Sequence, residues 1–121
     1  MKECLLVLTG GGFGAVLRYC VTCLLHKYFD CKHWATFWVN ISGCFLIGLL
    51  FSYLITKNYA LYVFFIVGLI GSYTTFSTFE YENIDLIAHE KYIEFLRYSV
   101  SSCGFGFISV FAGAYLAKIL I

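Results

Sequence analysis

Four apolar runs, at residues 4–25, 35–55, 59–79 and 93–120, are each long enough to cross a bilayer as a helix, since the hydrocarbon core takes roughly 20 helical residues. Short links join them at 26–34 and 56–58, and a longer acidic one at 80–92. In hydrocarbon each backbone N–H and C=O has to be paired within the protein, so runs of this length and composition are read as helices. The expected fold class is an all-α integral membrane protein, a single four-helix transmembrane domain over residues 1–121. With 61% hydrophobic and 12% charged residues, the chain has too little polar surface for a soluble globule of its size. A formal net charge of +1 offers nothing to nucleic acid. The first run reads as a transmembrane helix and not as a cleavable signal, because its short apolar core at 5–8 continues through glycines into more membrane-like sequence.

The third run ends unlike the others. From residue 68 it reads Gly-Leu-Ile-Gly-Ser-Tyr-Thr-Thr-Phe-Ser-Thr-Phe, with small and hydroxyl residues where Leu, Ile and Val would sustain a membrane helix. The chain has no proline, so a mid-span break is assigned to Gly71 and the Thr74-Thr75 pair. Irregular backbone at membrane depth is tolerated only inside protein or beside a wet cavity, so a break there marks an ion or substrate site.

The other runs carry further polar features, each with two readings. Gly10, Gly11, Gly12 and Gly14, with Asp30 downstream, imitate a dinucleotide fingerprint, but no βαβ pattern follows and close helix packing accounts for them better. Arg18 either snorkels to an interface or faces a water-filled anion vestibule. Cys20, Cys23 and His26 lack a convincing fourth metal ligand. All six cysteines (Cys4, Cys20, Cys23, Cys31, Cys44, Cys103) are expected as free thiols, five of them in or beside apolar runs. In the second run Trp34, Phe37 and Trp38 form an interfacial belt, and Thr36, Asn40, Gly43 and Cys44 share one helical face. Asn40 there either ties two helices together or turns its amide into a pore. Phe76 and Phe79 share a face beside Ser77 and Thr78, and Tyr98, Ser102, Gly106, Ser109 and Gly113 form a stripe on the fourth run. Each stripe serves equally as close packing or as a polar track. No catalytic residues are assigned, and the chain is read as no enzyme.

Taken together, these residues resemble the Fluc, or CrcB-type, family of small fluoride channels. The matching pieces are Gly11-Gly12-Phe13-Gly14-Ala15 with Arg18-Tyr19; Thr36 with Val39-Asn40 and Gly43; Gly71 with Thr74-Thr75-Phe76-Ser77-Thr78-Phe79; and Tyr98, Ser102 and Gly106. The resemblance implies a fluoride-selective channel for passive export across the plasma membrane, built as an inverted (antiparallel) dimer with two pathways near the subunit interface. By position, Asn40 would donate to fluoride, Phe76 and Phe79 would present ring edges, and Ser77, Thr78, Tyr98 and Ser102 would line the polar path. The carbonyls of Gly71 and Thr74 would hold a structural sodium ion (Na+) on the dimer axis. Glu82 matches a family glutamate, whereas Glu80 stands where Ser is common and Gly106 removes a possible pore hydroxyl. The physics is compatible with that role: fluoride needs compact donors and positive ring edges in place of its water, and no Lys or Arg sits mid-pore to trap it.

Two rival readings are a four-helix multidrug transporter and a non-conducting assembly subunit. Proton coupling in the former needs a carboxylate inside a span, and Glu3, Glu80 and Glu82 are read as lying near span ends. The partner is either an identical chain or an oppositely oriented homologue. Lys2, Lys57 and Lys118 fall on one side of the four-span topology and Lys27, Lys32 and Lys91 on the other, with Arg97 a possible fourth. Lys and Arg in short loops set orientation, so this near balance predicts insertion both ways. A single cysteine at position 57, in a background without the native thiols, is expected to react with impermeant reagent from both faces of the membrane; labelling from one face alone would point to a separate, inverted homologue.

Overall fold

The apolar runs fold as four membrane-crossing helices in a computed structural model that describes residues 1–30 and 32–120, and of Ser52 the backbone alone. Helix α1 is Lys2–Leu25 and α2 is Lys32–Lys57. The third crossing is composite. Its first part, α3, spans 59–73 and consists of Tyr59–Tyr62, the π-helix Val63–Ile70 and the single turn Gly71–Tyr73. After the break comes α4, Phe76–Ala88, and the last crossing is α5, Tyr92–Leu120. No strand occurs among the described residues. Large apolar side chains such as Phe13, Phe107 and Phe111 are exposed, as helix faces turned to lipid must be. The chain is a multi-pass membrane protein.

Three boundaries differ from the sequence reading. The second crossing begins at Lys32 and ends at Lys57, beyond the expected 35–55. Gly71 is helical, at φ −59° and ψ −34°, and the chain departs from helix only at Thr74 (φ −76°, ψ 158°) and Thr75 (φ −149°, ψ 119°). The third crossing does not stop at Phe79, because most of the acidic link, residues 80–88, continues as α4. That extension has a physical cause. Phe79, Asn83 and Leu86 recur at helical spacing and are all buried, and Asn83 Oδ1 accepts a hydrogen bond from Ser99 Oγ of α5 at 3.0 Å.

Helix ends follow capping chemistry. Asn58 Oδ1 accepts from the Leu61 N–H at 3.1 Å and opens α3. At the far end of α4, Lys91 N donates to Leu86 O at 2.9 Å and Glu90 N to Ile87 O at 3.0 Å, with Glu90 left-handed at φ 59°. This is a Schellman closure with Glu where Gly is usual, and it turns the chain into α5.

The helices pack as two close pairs, α1 on α3 and α2 on α5. Glycine makes both approaches possible. A Cβ at Gly14 would collide with the Leu69 carbonyl, and one at Gly48 with the Val110 carbonyl. Ser42 Oγ and Tyr73 OH, 3.0 Å apart, connect α2 to α3. Two apolar clusters fill the interior: Phe37, Phe79, Leu86 and Tyr98 in one, and Leu54, Ile66 and Ile70 in the other. Cys4, Cys20, Cys23, Cys44 and Cys103 carry free thiols; Cys31, expected to do the same, lies outside the described residues.

Because backbone contacts cannot yield as flexible side chains do, Gly14→Ala and Gly48→Ala are each expected to destabilise the chain by about 1–3 kcal/mol. Gly12→Ala, with nothing within 4 Å of its added methyl, is the comparison. Thermal denaturation in detergent reads the effect, and equal midpoints for all three would refute the packing account.

Candidate functional site

The break in the third crossing is built around Asn40. The Thr75 N–H, which in a continuous helix would close onto the Gly71 carbonyl, donates instead to Asn40 Oδ1 at 2.8 Å. Asn40 Nδ2 in turn donates to Thr75 O at 2.9 Å. One side-chain amide thus pairs with both polar groups of an extended residue. Thr75 then caps the new helix, its Oγ1 accepting from the Thr78 N–H at 3.3 Å and donating to Thr78 Oγ1 at 3.0 Å. In consequence Gly71 O and Thr74 O have both lost the N–H four residues on. The Thr74 side chain turns inward, its Oγ1 donating to Ile70 O at 3.1 Å.

Beside the break lies a small cavity of about 270 Å³ lined by Asn40, Cys44, Thr74, Phe76, Phe79 and Ser102, among others. Ser102 Oγ is buried there without a hydrogen-bond partner among the described residues, which normally costs about 1–3 kcal/mol. Asn40 has spent one Nδ2 hydrogen on Thr75 and keeps a second. The rings of Phe76 and Phe79 stand 5.8 Å apart. Phe79 is buried against Tyr98, centroids 5.1 Å apart, while Phe76 is 74% exposed on the outer face of the chain.

A wider cavity of about 720 Å³ shares Thr75 with the small one as a lining residue. Arg18, His33, Thr36, Thr78 and Glu82 contribute to its wall. The Glu82 carboxylate is held at both oxygens: Thr36 Oγ1 donates to Oε1 at 2.8 Å and Tyr98 OH to Oε2 at 2.6 Å. No ion pair among the described residues involves Arg18.

The chain matches the model of the CrcB-like family, described as CrcB-like protein, Camphor Resistance (CrcB), over residues 5–114. It belongs to that family. Among CrcB-like relatives, the Fluoride-specific ion channel FluC of Flavobacterium psychrophilum is 41% identical over 122 residues, covering 98% of each chain. The protein of the same name from Rhizobium meliloti is 39% identical over the whole of both chains, and that from Phocaeicola vulgatus 36% identical over 98% of this chain and 100% of its own.

Of the residues singled out from sequence, the CrcB-like fold gathers Asn40, Thr74, Phe76, Phe79 and Ser102 at the small cavity and Arg18 and Thr78 at the wide one. Tyr98 is 1% exposed and lines neither, its hydroxyl being committed to Glu82. Ser77 is exposed and also outside both linings; its Oγ lies 3.4 Å from Thr75 Oγ1. Gly71, likewise exposed, borders the break. Glu80 and Glu82 correct the sequence reading: both lie inside the third crossing, Tyr59–Ala88, and not near its end, so a carboxylate within a span, which the rival transporter reading requires, is present. Thr75 and His33 were missed as site residues. The preference for Thr at a helix N-cap and the spacing of His33, Thr36 and Asn40 at i, i+3 and i+7 would have pointed to them.

Removing the Asn40 amide strands two backbone groups at membrane depth. Asn40→Ala is expected to lower stability by about 1–3 kcal/mol for each group left unpaired, and Asn40→Asp, which still accepts from the Thr75 N–H, by less than Asn40→Ala. Thermal unfolding of the three proteins in the same detergent checks the order; an unchanged Asn40→Ala midpoint would remove Asn40 from this role.

Proposed function

We propose that the protein is a fluoride-selective channel of the cell membrane, in which two oppositely inserted copies of this chain let fluoride leave the cell passively. The observation that carries the reading is the small cavity, lined by two phenylalanine rings, by Asn40 with its spare N–H, and by a buried Ser102 hydroxyl that has no hydrogen-bond partner among the described residues. A small, strongly hydrated anion needs compact donors and the positive edges of rings, and it needs them without a fixed cation that would hold it. The FluC name of the relatives supports the same ion.

On this reading fluoride passes from the wide cavity, past Thr75 and Thr78, to the small one. Ser77 and Tyr98 join the path in the assembled dimer, Tyr98 through the carboxylate it holds. Arg18 draws anions into the wide cavity. Exposed Phe76 faces the second copy, which completes the ring pair. A structural sodium ion would be held on the two-fold axis by the Gly71 and Thr74 carbonyls of both copies. The donor set fits: these are hard oxygens released from helical pairing, and no cluster of His, Cys, Asp or Glu that could hold a metal occurs among the described residues. The ion would relieve repulsion among carbonyls that converge at the axis.

Fluoride-electrode efflux from liposomes tests the reading. Wild-type protein is expected to release fluoride and not to move a cationic drug, the substrate of the rival transporter class. Phe76→Ile and Phe79→Ile should each slow efflux, by roughly tenfold for every 1.4 kcal/mol of lost stabilisation, in dimers intact by size exclusion. Phe79→Ile should also lower thermal stability, since only Phe79 is part of the core. Wild-type efflux from both variants would refute the pathway.

A further inference from the structure

His33 stands in the first turn of α2 at the wall of the wide cavity, one turn before Thr36 on the face that carries Asn40. It is 8% exposed, and its ring centroid lies 5.0 Å from that of Tyr98 and 5.5 Å from that of Trp34. Both Tyr98 and Thr36 bind the Glu82 carboxylate, so the imidazole shares its neighbours with the cavity's most firmly held negative charge. Nothing in the pathway described above uses it.

The charges around it nearly cancel. Glu82 and Asp85 face the cavity from α4, Glu94 from α5, and Asp30 from the α1–α2 link. Against them stand Arg18 of α1, Lys32 of α2 and Lys91 before α5. Four carboxylates and three cations leave the wall one charge negative while its imidazoles are neutral, and so do the half-buried Glu82, Glu94 and Arg18 taken without the exposed Asp30, Asp85, Lys32 and Lys91. A proton on one imidazole brings the wall to neutrality. His26 lines the same cavity but is exposed, so bulk solvent screens its charge more.

We propose that His33 is a proton-controlled anion-recruiting residue at the wall of the wide cavity: its neutral imidazole leaves that cavity net negative towards fluoride, and its imidazolium cancels the charge and favours entry. This rests on the fluoride-channel reading. The burial of the ring at the cavity wall keeps the added charge close to the ion's route, and the Tyr98 ring, tilted by 53° with its centroid 5.0 Å away, is its aromatic neighbour. The sign is fixed by the charge count: anion entry rises as pH falls far enough to protonate the imidazole. The same acidification raises the entry of hydrogen fluoride into a cell, so the response runs in the direction of need.

The test is fluoride efflux from liposomes at equal inside and outside pH, stepped from 8 to 5.5, with the leak of protein-free liposomes subtracted at each pH. Wild-type flux is expected to rise by roughly 3- to 10-fold towards pH 5.5, the effect of one unit charge a few ångströms away in a wet cavity. His33→Gln should give a flat profile, and His33→Lys, permanently charged, a flat profile above that of His33→Gln. His26→Gln should keep the rise. A flat wild-type profile overturns the proposal even if neither His33 variant assembles, as does a rise that persists in His33→Gln or disappears in His26→Gln. Those outcomes leave the channel reading standing; absence of protein-dependent flux at every pH overturns both.

Discussion

One side-chain amide makes the interrupted helix possible. Asn40 accepts from the Thr75 N–H and donates to its carbonyl, so an extended residue sits at membrane depth with no unpaired backbone polar group of its own. Without that pairing, two groups in hydrocarbon would favour restoring the helix. Much of the site follows from this exchange. Redirecting the Thr75 N–H frees the Gly71 carbonyl; the Thr75 hydroxyl, placed as a cap, frees the Thr74 carbonyl and starts α4. The new helix then delivers Phe79 to the small cavity and Glu82 to the wide one. The two readings of Asn40 drawn from sequence are therefore not exclusive, because the residue that ties the helices also keeps one donor to spare.

The scaffold around the break depends on packing without a hydrophobic drive, since lipid is as apolar as the helix faces it meets. The α1–α3 and α2–α5 pairs achieve it by bringing backbone against backbone at Gly14 and Gly48. Polar contacts then fix the position of α4: Asn83 with Ser99, and Glu82 with Thr36 and Tyr98. These bonds cross between helices, and those to Glu82 hold its carboxylate at the wall of the wide cavity.

The four crossings were legible because runs of about 20 apolar residues have few alternatives, and the break was legible because Thr-Thr-Phe-Ser-Thr-Phe is a poor membrane helix. Its exact partner was not. The i, i+4 stripe of Thr36 and Asn40 shows a polar face, but only tertiary placement decides that one member pairs with Thr75 and the other with Glu82. Residues 80–88 were misread because their acidic surface dominates a hydropathy pattern, hiding the buried face of Phe79, Asn83 and Leu86. The π-helix Val63–Ile70 left no signal at all: its residues are uniformly apolar, and the widened turn, with Gly71 N reaching back to Ile66 O, arises in the folded backbone.

Thr75 borders both cavities while its hydroxyl and its backbone are engaged in capping and clamping. The partition between wide and narrow space is therefore a helix terminus, not a loop or a free side chain. Moving Thr75 means uncapping α4 or detaching it from α2, so its position is set by the same bonds that hold the crossing together. On the proposed route an ion that passes Thr75 therefore meets a helix end held by backbone and capping bonds, which a rotamer change alone does not move.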